Sequence, residues 1–232
     1  MSHHPSRNPC VLVPDQVHVW LARLAPATEP SWCHRFAATT ADERDRASRF
    51  RRAEAGERYL SAHGALRLVL GRYLTCDPLS LHFAVSPNGK PFFENRQLQF
   101  NLSHSGDIAL VAVAQSRQVG ADIEQVRPMP DLQAVAARVC TPGELDRLGG
   151  LADPDRERAF FAMWTRKEAL AKGTGEGIGA IVRDAREESW GGDGRWTVAE
   201  VDDVPGYAAC VAAEGAGWTL VRHELTDDFG GR

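Results

Sequence analysis

Phe160, Trp164, Glu168 and Lys172 recur at four-residue steps, a spacing that stacks side chains along one face of a helix. The stretch that carries them, FFAMWTRKEALAK, contains no Gly or Pro and is followed by Gly173, Gly175 and Gly177, so it reads as one helix with a glycine stop. The stripe begins aromatic and ends in a carboxylate and an amine. Taken alone it is a core-packing helix with a surface Glu168–Lys172 pair, worth a few tenths of a kcal/mol. A second set of acids changes the balance. In GADIEQV the period of a strand sets Asp122 and Glu124 on one face and turns Ile123 toward the core. At about 4 Å and an effective dielectric near 20, two such carboxylates repel by about 4 kcal/mol, so something must neutralise them. A solvent-facing strand edge would serve. Glu168 also offers a third oxygen donor, and three carboxylates with open positions suit a hard cation such as Mg²⁺, which fills its remaining places with water and phosphate oxygens.

Two polar stretches have paired readings. NLSHSGD, from Asn101, places Ser103 and His104 between apolar runs, either as a hydrogen-bonded turn or as donors to a phosphate. Gly89-Lys90-Pro91 is either a hairpin loop or a loop whose amides and ammonium meet an anion.

These groups need a scaffold, and 232 residues allow one large domain or two modest ones. With 43% hydrophobic and 25% charged residues, the composition is that of a soluble globular protein. No apolar run is long enough for a bilayer, and MSHHPSRNPC shows no basic segment followed by an apolar one, so neither membrane nor secretory signal is expected. Five scattered cysteines without a C-x-x-C point to reduced thiols in a cytoplasm, away from a disulfide framework or a zinc site. The formal net charge of −4 excludes a general nucleic-acid binder. Between Ala41 and Arg72, however, eight arginines outnumber five acids, which suits an anionic small ligand or an acidic protein partner as well as a solvated helix face.

Strands are expected at Val17–Leu21, Leu81–Val85, Leu98–Leu102, Ile108–Ala114, Val119–Val126, Trp196–Val201, Tyr207–Ala213 and Trp218–His223. Helices are expected over Ala41–Leu74, broken near Gly56, over Leu132–Val139, and from Pro142 to Leu148 behind an N-cap at Thr141. The order nearly repeats. At an offset of about a hundred residues VHVWLARLAP lies over VGADIEQVRP, Glu43-x-Asp45-Arg46 over Glu144-x-Asp146-Arg147, Tyr59-Leu60 over Phe160-Phe161, and GDIALVAVA over GYAACVAAE. We therefore expect an α+β fold of two pseudo-twofold halves, 1–115 and 116–232, each with helices on a mainly antiparallel sheet. The chemistry is not repeated: Asp122 and Glu124 lie over Trp20 and Ala22, and Glu168 over Arg67. A ligand site is expected in the cleft between the halves.

NGKP, FNLSHS, VGADIE and FxxxWTRKEALAKGxG, in this order and spacing between about Ala41 and Ile178, resemble the 4′-phosphopantetheinyl transferases of the large, surfactin (Sfp) type. The resemblance implies transfer of the phosphopantetheine arm of coenzyme A to a serine of an apo acyl or peptidyl carrier protein, releasing adenosine 3′,5′-bisphosphate. It implies Mg²⁺ held by Asp122, Glu124 and Glu168, with Glu168 also taking the serine proton and Lys172 stabilising the leaving phosphate. It implies coenzyme A contacts from Arg46, Arg58, Gly89, Lys90, Pro91, Asn101, Ser103 and His104, and departs from the family at Glu43, where a relative can carry lysine. A cytoplasmic monomer is expected, with the carrier docked on Met129–Val139 of the second half. The rival readings are a metal-dependent phosphoesterase using the same acids on water, and a non-catalytic binder of coenzyme A or carrier protein.

Overall fold

The computed structural model describes residues 10–226 apart from 25, 96–97, 178 and 180–194, so all but Cys10 of the N-terminal segment read for a signal, and Ile178 at the end of the motif match, lie outside the described residues. Along the chain run strand β1 (Gln16–Arg23), helices α1 (Pro30–Ala37), α2 (Ala41–Ser48) and α3 (Ala53–Leu74), and short strands β2 (Ala84–Val85) and β3 (Pro91–Phe92). Strands β4 (Leu98–Ser105), β5 (Ile108–Gln115) and β6 (Val119–Gln125) follow, then helices α4 (Leu132–Val139), α5 (Pro142–Gly149) and α6 (Asp155–Thr174). Strands β7 (Trp196–Glu200), β8 (Tyr207–Glu214) and β9 (Thr219–Glu224) close the described chain.

The duplication is visible in the strand registers. β1 pairs antiparallel with β5 from Val17↔Ala114 to Arg23↔Ile108, and β6 pairs with β8 from Val119↔Ala213 to Gln125↔Tyr207. β4 adds to β5 as β7 adds to β8, giving the same three-strand order twice. The inner faces of the two sheets meet, so that Val17, Val19, Leu21, Leu110 and Ala112 share one core with Val119, Ala121, Ile123, Val211 and Ala213. The outer face of the first sheet, with Trp20, Val111 and Val113, is covered by Ala62, Leu66, Val69 and Leu70 of α3. Cys210 and Ala212 on the outer face of the second sheet are covered by Ala169, Leu170 and Ala171 of α6. The result is a helix–sheet–sheet–helix stack, and strands buried on both faces explain why β1 and β5 read as continuous apolar runs.

Both halves repeat one more device. Thr40 caps α2 and Thr141 caps α5, each in a capping box with the glutamate three residues on, Glu43 and Glu144. Each of those glutamates also reaches a cation on the long helix of its half: Arg67 Nε stands 3.0 Å from Glu43, and Lys167 Nζ 2.6 Å from Glu144. By this geometry Arg67 corresponds in role to Lys167, one residue before the Glu168 that the sequence offset gives.

Several elements differ from expectation. The break in the first-half helix falls at Arg49–Arg52, not at Gly56, which is buried inside α3 where the backbone of Ala47 leaves no room for a side chain. Ser103, His104 and Ser105 belong to strand β4 and not to a loop, since the chain turns only at Gly106–Asp107. The short helix α1 has no strong sequence signal, and the expected strand at Leu81–Val85 shrinks to two residues. The last strand crosses back, with β9 lying parallel to β1 in the first half's sheet from Gln16↔Thr219 to Leu21↔Glu224.

Candidate active site

The site is assembled where β4 passes the edge of β6. The two strands belong to different sheets, and side chains join them. Asn101 Oδ1 accepts from the amide of Ala121 at 2.9 Å, Ser103 Oγ from Ile123 at 3.4 Å, and Ser105 Oγ from Gln125 at 3.1 Å. Strand alternation brings Asn101, Ser103 and Ser105 to one face, so N-x-S-x-S supplies the hydrogen bonds that a neighbouring backbone would otherwise make. Each serine then gives its own proton to a carboxylate: Ser103 to Asp122 Oδ1 at 2.8 Å, Ser105 to Glu124 Oε2 at 2.7 Å.

Helix α6 comes onto this strand at unusually close range. A Cβ on Gly120 would lie 2.0 Å from the carbonyl oxygen of Ala169 and 2.3 Å from the amide nitrogen of Gly173, so only glycine lets the backbones meet. The contact carries the aromatic-to-amine stripe into place. Phe160 is buried and stacks on Trp164 with centroids 6.3 Å apart, and at the far end Lys172 Nζ reaches Asp122 Oδ1 at 2.5 Å and Ser103 Oγ at 3.1 Å. Lys172 thus pairs with the strand acid as well as standing one turn from Glu168.

Burial governs the acids. Asp122 is 3% exposed, and loss of water raises its carboxyl above the ordinary value even though Lys172, Ser103 and the Ile123 amide pull the other way. Its second oxygen, Oδ2, is fully buried and takes no hydrogen bond from any described residue. Glu168 is raised too, first by burial and then by the charges of Asp122 and Glu124, against the opposing pull of Lys172. Among the described residues no three His, Cys, Asp or Glu side chains stand at metal-binding spacing. The three acids share one field while an ammonium holds Asp122 Oδ1. The buried oxygen of Asp122 that takes no hydrogen bond is the one observation here that speaks for a cation, since a hard divalent ion would satisfy it.

Cationic side chains gather around His104, the neighbour of Ser103 on β4. His104 is exposed, yet its neighbours displace enough water from the ring to lower its pKa, and the charges of His63, Lys172 and Arg58 lower it further. These charges come from both halves. Arg58 donates to Asp107 Oδ1 at 3.1 Å, both side chains being exposed, and the Arg46 guanidinium lies 5.5 Å from the centre of the Tyr59 ring. Gly89, at φ +82°, lies in the β2–β3 turn, and Pro91 opens β3 opposite Val85. The ammonium of Lys90 sits on backbone carbonyls of the second half, 2.9 Å from Val119 O and 2.8 Å from Lys172 O.

Two regions of the 4′-phosphopantetheinyl transferase families match: the superfamily model over residues 118–212 and the N-terminal model over residues 25–116. The chain is 36% identical over 219 residues to the 4′-phosphopantetheinyl transferase HetI of a Nostoc strain, covering 89% of this chain and 91% of that protein. It belongs to the 4′-phosphopantetheinyl transferase superfamily. A putative 4′-phosphopantetheinyl transferase of Synechocystis is 33% identical across 70% of the chain and 66% of its own length. A 4′-phosphopantetheinyl transferase of Bacillus subtilis is 30% identical across 62% of the chain and 63% of its own length.

Within this family setting, three residues stand out that the sequence reading did not single out. His63 lies between Tyr59 and Arg67 at helical spacing, and that stripe was its signal. Gly120 was announced by a glycine inside a strand. Lys167, buried against Glu144 and the Val139 carbonyl at 2.9 Å, anchors α5 to α6 one residue before Glu168. Glu43 is explained as well. Burial would raise its pKa, but His63, the Thr40 amide and Arg67 outweigh that and bring it to about 2, so this acid is committed to the scaffold.

Proposed function

We propose that this transferase moves the 4′-phosphopantetheine arm of coenzyme A onto a serine of an apo acyl or peptidyl carrier protein. The observation that carries this reading is buried Asp122, with one oxygen unmatched and the other on Lys172, one helical turn from a Glu168 whose carboxyl is raised. Both halves, 1–115 and 116–232, contribute. Arg46 and Arg58 from the first half, with exposed His104 and the buried Ser103 beside Asp122, receive the phosphates of coenzyme A, and Gly89, Lys90 and Pro91 line the approach.

Asp122, Glu124 and Glu168 would hold Mg²⁺, which would neutralise charge on the pyrophosphate. Glu168, raised by burial and by its acidic neighbours, accepts the proton of the carrier's serine. The serine oxygen bonds to the phosphorus next to the pantetheine arm, and the bond from that phosphorus to the bridging oxygen breaks. Adenosine 3′,5′-bisphosphate departs with the new charge, and Lys172 meets it. The nucleophile belongs to the partner, so no serine or cysteine of this chain needs activation.

The carrier docks on the second half, over α4 and the start of α6. Leu132 and Ala136 of α4 pack with Phe160 and Phe161 of α6, leaving a groove of about 650 Å³ lined by Met129, Leu132, Ala136 and Leu148. We infer a monomer working in the cytoplasm. All five cysteines are free thiols, and no described helix is long and apolar enough to cross a membrane. The test is intact-mass spectrometry of apo carriers incubated with the protein, coenzyme A and Mg²⁺. Gain of the phosphopantetheine arm is expected. Coenzyme A hydrolysis with unmodified carrier would make the protein a phosphoesterase, and carrier binding without turnover would make it a binder.

A further inference from the structure

The β2–β3 loop leaves the first half and ends on the last turn of α6. The final carbonyls of a helix have no partner inside it, and their dipoles make that end negative. In α6 the Ala171 carbonyl is taken by the amide of Gly175 at 2.9 Å. The next two, Lys172 O and Gly173 O, lie 2.8 and 3.5 Å from Lys90 Nζ. The same ammonium donates to Val119 O at 2.9 Å, and the side-chain amide of Asn88 donates to Gly175 O. An ammonium has three protons, and three carbonyls surround this one.

These contacts fall beside the working groups. Val119 precedes Gly120, where helix and strand backbones touch, and opens the strand that carries Asp122 and Glu124. Lys172 is the residue whose side chain reaches Asp122. One cation from the first half therefore holds the backbone of Lys172 and the root of the acidic strand together. We propose that Asn88 and Lys90 form a clamp between the halves, and that Lys90 acts on the transfer as a positioning residue, through the end of α6, instead of by touching the phosphates of coenzyme A. This proposal rests on the transferase reading given above.

The test compares the full-length protein with Lys90→Met and Asn88→Ala, measuring transfer to one carrier with coenzyme A and with 3′-dephospho-coenzyme A, and amide hydrogen exchange over 170–177. A clamp predicts that Lys90→Met lowers kcat by about ten- to a hundred-fold, the scale of a misplaced catalytic group, with KM for coenzyme A within about twofold. The loss should be the same with either nucleotide, and should largely vanish in a Lys172→Ala background, because the clamp works through Lys172. Amides at the end of α6 should exchange faster. Asn88→Ala, which removes one exposed bond, should show a smaller change of the same kind and carries the test if Lys90→Met does not fold. A raised KM with kcat kept, a penalty that disappears with 3′-dephospho-coenzyme A, or unchanged exchange in α6 would overturn the clamp. If the wild-type protein modifies no carrier, the transferase reading falls, and the exchange measurement alone decides whether the clamp exists.

Discussion

Gly120→Ala is the sharpest probe of how the site is built, because it changes no charged group. The added Cβ would lie 2.0 Å from Ala169 O and 2.8 Å from Gly173 Cα, all backbone that cannot rotate away. Real contacts of this kind stay beyond 3.0 Å, so α6 must retreat from β6 by about 1 Å. That retreat stretches the 2.5 Å bond between Lys172 and Asp122 to the limit of hydrogen bonding. A displacement of this size at a reacting centre costs about a hundredfold in rate, or roughly 3 kcal/mol of transition-state stabilisation. Overpacking costs a further 1–3 kcal/mol or so of stability, about 2–12 °C in melting temperature for a chain of this size. Steady-state transfer kinetics and thermal melts read both effects. Gly143→Ala in the first turn of α5, where a Cβ meets nothing within 4 Å, is the control and should behave as wild type. If Gly120→Ala keeps kcat/KM within about threefold and its melting temperature, the close approach does not position the site.

Lys172→Ala should lower kcat by about a hundred- to a thousand-fold, more than it raises KM for coenzyme A, and Lys172→Arg should not restore it fully, because a planar fork does not replace a compact ammonium. Near-normal kcat in either variant would return Lys172 to a structural ion pair. Asp122→Asn should abolish transfer yet leave the metal-free melting temperature unchanged or raised, since burial already disfavours the Asp122 charge. Added Mg²⁺ should stabilise the wild type and not this variant, and equal stabilisation of both would remove Asp122 from the cation site. His18 is 4% exposed, and burial, then the neighbouring His223, lowers its pKa from 6.5 to about 4. A histidine held neutral by folding contributes stability that is full above about pH 6.5 and is lost as pH falls toward 4, amounting to roughly 3 kcal/mol. Melts between pH 7 and 4 should show that slope flattened in His18→Asn, and an unchanged slope would assign acid sensitivity to other groups.

Much of this architecture is written locally in the chain. Asp122 and Glu124 on one face of a strand, with Ile123 in the core, follow from alternation, and the α6 stripe follows from helical period. The capping boxes at Thr40 and Thr141 are legible because cap and glutamate lie three residues apart. What escaped depends on partners far along the chain. Asn101, Ser103 and Ser105 have the composition of a turn, and only the neighbouring edge of β6 makes them a strand seam. Lys90 looks like a phosphate ligand until its carbonyl partners, 29 and 82 residues away, are placed beside it. The parallel pairing of β9 with β1 has no local signal, because Trp218–His223 reads as a strand whichever sheet it joins.

The duplicated scaffold also accounts for a single working site. Both halves keep the threonine cap, the glutamate and its cation on the long helix, so that device belongs to the fold and not to the chemistry. On the first strand of each half the halves part. β6 carries Asp122 beside the serines of β4, whereas the matching position on β1 holds Trp20, flanked by β9. Trp20 stacks on His223 with centroids 4.5 Å apart and donates to Tyr73 Oη at 2.8 Å, and Tyr73 Oη lies 2.8 Å from His18 Nδ1. Aromatic rings surround this position, where the other half sets Asp122 against Lys172 and Ser103. The same strand position thus serves packing in one half and charge in the other, and a buried, incompletely bonded Asp122 is a cost in stability that the proposed function would account for.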